Sequence, residues 1–580
     1  MIRQSFFVKQ ESTSSPDPAA SLLGQGSRGL RGLMRHPFCI LALLCLFVNA
    51  FFNVTSVPIA SFDAIVLMLG VVIAGFMIYF WVLHPERHPG WRSIAVGAAI
   101  LVVLVLFYQT VQQAVFVLIV GLTALAVAAC YWIGMRAMTP QRVLLLLLAA
   151  GFVLRVGYIL YTSAIVRQHD VWYFGGERGH AVYIEWFYQQ VRLPDFDPRQ
   201  VWQFYHPPLH HFLAGMFLRL NVTLGMSYER ATESIQILTL FYASACTLLC
   251  YKLFREVGVS RKAACIPMAL LCFHPTLIIM SGSINNDILS ITLQLAAVLF
   301  AVRWYKNPSI RRILCIAVAL GCSMMAKSSG GLAAVAIAFL FLYKLVEQRR
   351  RFLPMLGQFA IFGVVCVPLG LWWQVYNFIL YQMPLSYVPM LSLKDAQYIG
   401  DYSIWERLFD PSLEQFKSVF VGFGERTAAG YYEHNVFLGL LKTSMFGEFE
   451  LFEPGTIGNT VSTILFYINM IVVAFSLFAM FWGFLRKGTL GWQLKLFFAL
   501  LYLTVLGSYV SFCIQYPHTC TQNFRYAVPT LFVGLTAIAL TLEDWRAHPR
   551  RWTRSATIGL GVLTALFCAG STTAYTLLGA

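Results

Sequence analysis

The feature that most constrains this chain is a succession of apolar runs, most of them close to twenty residues long, separated by short polar or basic connections. A helix needs about 20 apolar residues to cross the roughly 30 Å hydrocarbon core of a bilayer. Runs of that kind lie at 37–57, 62–83, 93–109, 113–134, 143–166, 234–254, 263–281, 288–305, 312–326, 329–346, 356–379, 460–485, 491–513, 526–542 and 555–577. Only 12% of the 580 residues are charged, whereas about 25% is usual for soluble domains. A water-soluble surface cannot be made from so few charges. The expected fold class is therefore an all-α polytopic membrane protein with about 13–15 transmembrane helices.

Charge patterning orients the expected topology. The formal net charge is +16, but the basic residues stand in short clusters between apolar runs, such as Arg349–Arg351 and Arg546–Arg554. That is a topology signal on the cytoplasmic side, where the lipid is anionic, and not a nucleic-acid groove. Residues 1–36, rich in Ser, Pro and basic residues, are expected to form a cytoplasmic tail. The stretch from Pro207 to Gly225 is ambiguous, because counting it as a span would place most later basic clusters outside. The positive-inside rule assigns it to an interfacial helix instead. The expected organisation is then additional N-terminal helices over 37–142, a central module over 143–379 with an outer loop at 167–233, a second outer loop at 380–459, and C-terminal helices over 460–580. Most of the 26 carboxylates fall in those outer loops, so chemistry is expected at the outer face. Most of the 13 cysteines lie in apolar runs and no CxxC pair is present, which indicates neither a zinc ribbon nor a disulfide framework.

The first outer loop gathers carboxylates, histidines and aromatics directly after a span. It runs through His169-Asp170, Gly175-Gly176-Glu177, Glu185-Trp186 and His206-Pro207-Pro208-Leu209-His210-His211. Asp170 stands where a helix meets the interface, a position at which desolvation and neighbouring charges can tune a general base. The plainer alternative is that His169-Asp170 merely ends a helix in polar residues. His206, His210 and His211 have a spacing that could offer imidazoles to one metal.

The order of these elements resembles that of the GT-C superfamily of membrane glycosyltransferases, nearest the family 39-like branch of protein O-mannosyltransferases and aminoarabinose transferase. The resemblance rests on Asp170, His206–Leu209, Asn285-Asn286-Asp287, Lys327-Ser328-Ser329-Gly330 and Asn523-Phe524-Arg525-Tyr526, and covers about residues 143–545. It implies a GT-C fold and an inverting transfer of a sugar from a polyprenyl-phosphate donor to a hydroxyl or amine of a lipid, glycan or protein acceptor. It also implies that Asp170 is the base, with no metal and no cofactor. Many relatives carry Asp-Glu where this chain has Asp170-Val171, which leaves Glu177 or Glu185 to supply a second acid.

A departing lipid phosphate needs cations near the interface, which selects Arg525 and Lys327 as donor-binding candidates, with His206 and Tyr526 beside them. Snorkelling alone accounts for many cations at helix ends. Asp287 either caps a helix or orients a basic residue across the cavity, and His210, Lys442 and Glu448 are acceptor or pocket candidates. Trp172, Trp186, Trp202, Tyr431 and Tyr432 suit sugar stacking or interfacial anchoring equally. Two rivals are a lipid-glycan flippase or transporter and a glycan ligase or polymerase with a lipid diphosphate donor. Transporters usually show internal repeats, which this sequence lacks, and ionisable residues inside spans are few, Arg155 and Lys495 being the clearest. The expected setting is the lipid of a bacterial plasma membrane with the site facing outward, the endoplasmic reticulum being the alternative.

Overall fold

The computed structural model describes residues 36–54, 113–410, 412–422, 433–486 and 490–579. In chain order its helices are α1 (Pro37–Val54), α2 (Gln113–Gly134), α3 (Pro140–Tyr161), α4 (His180–Gln190), α5 (Leu209–Thr223), α6 (Tyr228–Glu233), α7 (Gln236–Glu256), α8 (Arg261–Cys272), α9 (Pro275–Gly282) and α10 (Asp287–Lys306). They continue with α11 (Ile310–Ala326), α12 (Ala333–Glu347), α13 (Phe352–Tyr381), α14 (Ile404–Phe409), α15 (Val436–Phe446), α16 (Ile457–Leu485), α17 (Trp492–Gln515), α18 (Pro529–Ala547) and α19 (Arg551–Leu577). Among the described residues β-pairing is limited to an isolated bridge between Tyr398 and His518.

Local chemistry explains where these helices begin and break. Thr139 caps α3 by accepting from the Arg142 amide, and Pro140 occupies its first turn, where a missing N–H costs nothing. His274-Pro275 divides one apolar run into α8 and α9, bent by 50°, because proline suits a first helical turn and disrupts a helix interior. Among the described residues eight helices are long and apolar enough to cross a membrane, or nine if the bent pair is one span. This is a multi-pass membrane protein.

The expected spans at 62–83 and 93–109 lie outside the described residues. Each remaining expected position carries a helix, but not every one reaches spanning length and apolarity. Helix α11 has 17 residues, and α18 carries Glu543, Asp544 and Arg546 near its end. Helix α5 has 15 residues, too few to cross about 30 Å. It packs on α4 through Ala214 and Leu218 against Ala181 and Ile184.

The polar ends of several helices meet at one end of the bundle. Asn286 Nδ2 donates to the Ala326 carbonyl at 2.9 Å, tying the start of α10 to the end of α11. The Phe524 amide donates to Thr443 Oγ1 at 2.9 Å, tying the α17–α18 turn to α15. Between them lies the stretch from Arg167 to His180.

Candidate functional site

Asp170 sits in a constrained stretch of backbone. Arg167, Asp170 and Trp172 all have positive φ, at 54°, 58° and 62°, a conformation costing a non-glycine residue about 1–2 kcal/mol. Such strain persists only where the surroundings over-determine it, and here they do. The His180 and Ala181 amides at the start of α4 donate to the Asp170 and Val171 carbonyls, both at 3.0 Å. Val171 is buried, and the Arg178 guanidinium lies 4.1 Å from the centre of the Trp172 ring.

Around Asp170 the cations and carboxylates interlock. Arg525 Nη2 donates to Asp170 Oδ2 at 2.9 Å, and Arg525 Nη1 lies 3.7 Å from Asp287 Oδ2. Lys327 Nζ donates to Asp287 Oδ1. The Tyr526 ring backs both cations, 4.7 Å from Lys327 Nζ and 4.9 Å from Arg525 Cζ. Asn523 Oδ1 accepts from the Arg525 amide at 3.0 Å, while its Nδ2 donates to Glu448 Oε2 at 3.2 Å. Glu448 Oε1 lies 2.6 Å from His169 Nδ1. Burial opposes ionisation of Glu448, yet His169, Arg525 and Asn523 outweigh it and hold the carboxyl below its ordinary range. Of the three carboxylates, Asp170 is the accessible one: its side chain is 34% exposed, against 3% for Asp287 and 12% for Glu448.

These groups open into a cleft of about 270 Å³ lined by Asp170, Asp287, Lys327, Arg525 and Tyr526, with His180, Tyr205 and His206 on one wall and Ser328, Tyr387 and Tyr516 among its other residues. His206 stacks on His180, ring centres 5.5 Å apart. Behind them His180 Nδ1 lies 2.8 Å from His211 Nε2, and His210 Nε2 donates to the Ile284 carbonyl at 2.8 Å. Burial pushes His206 down to about 3 and His210 to about 4, and holds His180 and His211 well below the ordinary histidine value. Among the described residues no group of three or more His, Cys, Asp or Glu is arranged to hold a metal ion.

The structure thus brings Asp170, Arg525, Lys327, Asp287, Tyr526 and His206 together, with Glu448 joined through Asn523. Most of the other candidates do not reach the cleft. Glu177 is exposed on the loop. Glu185 accepts from the Gly175 amide and the Tyr228 hydroxyl, each at 2.6 Å, so it braces the loop instead of pairing with Asp170. His210 faces Ile284, and Lys442 is buried in an ion pair with Glu433 at 2.8 Å. Trp202 lines the cleft, Trp172 and Trp186 are engaged by Arg178 and Arg192, and Tyr431 and Tyr432 lie outside the described residues. Sequence reasoning passed over His169, Asn523 and His180 as parts of the site. The first two stand one residue from Asp170 and two from Arg525 respectively, and that proximity was their available signal.

Residues 222–385 match the family model of dolichyl-phosphate-mannose-protein mannosyltransferases. With the all-helical, multi-pass fold, that match supports the class the sequence resembles, the GT-C membrane glycosyltransferases. The matched segment holds Asp287 and Lys327, whereas Asp170 and Arg525 lie outside it. Two solved structures of an oligosaccharyltransferase from Archaeoglobus fulgidus are similar to the chain. One is tethered with an acceptor peptide containing the NVT sequon via a disulfide bond; the other, AglB, is in complex with an inhibitory peptide and a dolichol-phosphate. Their identities are 13% and 14% and both TM-scores are 0.43, over 75% of this chain and 55% and 56% of theirs. The chain therefore spans slightly more than half the length of those structures. No curated protein is significantly similar to it.

Proposed function

We propose that this protein is an inverting glycosyltransferase that moves a sugar from a polyprenyl-phosphate donor to a hydroxyl or amine acceptor in the cleft, at the outer face of the membrane. The observation that carries this reading is the pairing of the accessible Asp170 carboxylate with Arg525 at 2.9 Å, beside a second cation, Lys327, at the cleft wall. The family match over 222–385 supports a lipid-phosphate sugar as the donor.

In this reading the acceptor oxygen or nitrogen attacks the anomeric carbon from the face opposite the phosphate. Its proton passes to Asp170 as the new bond forms. The bond between the anomeric carbon and the phosphate oxygen breaks, and its electron pair leaves with the phosphate. Arg525 and Lys327 stabilise that developing charge, as preorganised cations in a partly desolvated site can. Both cations are engaged by carboxylates before donor binds, so a phosphate must compete for them. As Arg525 turns toward the phosphate, it releases Asp170 Oδ2 to act as a base. Donor is therefore expected to bind before the acceptor is deprotonated.

The test is sugar transfer by purified protein from a panel of polyprenyl-phosphate sugars, comparing wild type with Asp170→Asn. A positioned general base supplies about 10²–10⁴-fold in rate, so Asp170→Asn is expected to lower kcat by that order and to keep or raise donor affinity, since Arg525 loses a competing carboxylate. Full activity in the variant would remove Asp170 from the mechanism. Absence of turnover with every donor in wild type would move a flippase or transporter ahead.

A further inference from the structure

A second cavity, of about 360 Å³, lies between α16, α17 and α18. It occupies the end of the bundle opposite the cleft. On α17 the cleft touches Ser508 to Phe512 and this cavity touches Lys495 to Ala499. On α18 the cleft lies before the first turn and the cavity reaches Ala547. Its walls are apolar, with Met480, Phe498, Val533 and Leu540 in the interior. From Val533 to Ala547 it follows α18 for about 21 Å at about 1.5 Å per residue. That exceeds the roughly 15 Å of one leaflet's hydrocarbon, a depth that suits an acyl chain.

The mouth has a different character. Arg486 ends α16 with its guanidinium 4.6 Å from the centre of the Trp482 ring, and Lys495 Nζ donates to the Arg486 carbonyl. Neither makes a salt bridge among the described residues, although Lys495 feels the charge of Asp544 across the mouth; the acids at the rim have nearer partners. Glu543 pairs with Arg546 and accepts from the Ser260 amide at 2.8 Å. Asp544 accepts from Trp482 Nε1 at 3.4 Å and lies 3.3 Å from His548 Nδ1. Two cations without a salt-bridged carboxylate among the described residues thus stand over an apolar slot, next to an indole of the kind that settles at headgroup depth. Basic pockets between membrane helices suit anionic headgroups.

We infer that this cavity binds an anionic phospholipid of the leaflet opposite the cleft, with one acyl chain between α16, α17 and α18 and its phosphate on Arg486 and Lys495. The inference is independent of the sugar chemistry. The phosphate and its glycerol keep the headgroup at the surface, and the chain fills space that side chains leave open. Gly483 lines the slot, and a Cβ added there meets nothing within 4 Å, so a larger side chain can enter the cavity without displacing backbone.

The experiment uses full-length protein in vesicles of phosphatidylcholine with one-fifth phosphatidylglycerol, extracted in mild detergent and repurified, with retained lipid quantified by mass spectrometry. Wild type is expected to retain phosphatidylglycerol above its share in the vesicle, by about five-fold per cation. Arg486→Gln with Lys495→Gln should return the ratio to that of the vesicle. Gly483→Leu should lower retained phospholipid of both kinds, with an unchanged thermal midpoint showing that the fold is intact. Wild-type retention at the vesicle ratio would overturn the inference, and so would wild-type selectivity in both variants. Displacement of the retained lipid by a polyprenyl phosphate in wild type, absent in Gly483→Leu, would also overturn it, by assigning the slot to a donor-type lipid.

Discussion

Asp287 holds two cations at once, Lys327 through Oδ1 and Arg525 through Oδ2, and it is the more buried partner of each acid–base contact. Removing one member of a buried ion pair leaves the other uncompensated, which costs about 3–5 kcal/mol. Asp287→Asn is therefore expected to lower stability strongly, by about that amount. Asp287→Asn combined with Lys327→Gln should recover much of the loss, because the stranded charge is gone. Activity should not recover, since the departing phosphate still lacks Lys327. The check is a double-mutant cycle of unfolding midpoints alongside turnover; activity rising with stability in the double variant would make Lys327 structural only. At this scale the sequence exposed the residue types and concealed the partners. Asp170 and Arg525 are 355 positions apart, and no local pattern announces a contact at that separation. The possibility that Asp287 orients a cation was visible because an acid at the start of one helix and a lysine at the end of another recur as a pair of polar turns. Lys442, read as a pocket residue, pairs with Glu433 in the interior, because a lone lysine in an apolar run does not declare which side of its helix it faces.

The elements were more legible, because apolar run length is a local property. Expected runs at 234–254, 288–305 and 356–379 correspond to Gln236–Glu256, Asp287–Lys306 and Phe352–Tyr381. The run at 263–281 conceals a bend, since hydropathy averages across the His274-Pro275 break. Turn chemistry at the element ends gives two predictions. Gly330 closes the turn that carries Lys327, its amide donating to the Lys327 carbonyl at 2.8 Å. A Cβ there would lie 2.2 Å from Ser323 Oγ and 2.7 Å from the Ser323 carbonyl carbon, so the backbone itself must move. Gly330→Ala is expected to displace Lys327 and lower turnover by up to about 10²-fold, the order lost when a catalytic contact is misplaced by 1 Å, although residue 330 is not itself a charge-bearing group. Turnover equal to wild type would separate this turn from the chemistry. At the end of α4 the opposite change helps. Val191 caps that helix with φ at 51° and is 46% exposed, and a β-branched residue is poorly suited to the left-handed region. Val191→Gly should stabilise by about 1 kcal/mol, read as a higher thermal midpoint. A lower midpoint would mean that glycine's freedom in the unfolded chain outweighs the relief.

Across the whole molecule, the cleft is walled and backed by four histidines held between α4, α5 and the start of α10, three of them buried and His206 half-buried at the cleft wall, and this arrangement makes stability depend on pH with a definite sign. His180, His206, His210 and His211 all bind protons less readily when folded than in an unfolded chain, where histidine titrates near 6.5. Burial comes first among the causes for each, and Lys327 and Arg525 add to it at His206. The unfolded state then binds more protons than the folded one below about pH 6.5, so stability is complete above that value and falls as pH drops toward the folded values, about 4 for His210 and about 3 for His206. At pH 5 each histidine kept neutral costs about 2 kcal/mol relative to pH 7.5. Glu448 does not produce this loss. Its carboxyl is depressed, so its contribution persists above the ordinary glutamate value near 4.3 and fades only as pH falls further, through its folded value. Protein unfolded in detergent at a series of pH values should therefore lose stability between about pH 6.5 and 5, before carboxylates in the network protonate. His210→Gln with His211→Gln should flatten that limb in part, because two of the histidines kept neutral by the fold no longer titrate in the unfolded chain and glutamine retains a donor for the Ile284 carbonyl. Unfolding midpoints that stay constant from pH 7.5 to 5, or a double variant as acid-sensitive as wild type, would show that the acid response arises elsewhere in the fold. A flattened limb with turnover preserved at pH 7.5 would instead assign these two histidines to the support behind the cleft, leaving His206 and His180 as the imidazoles that meet what binds there.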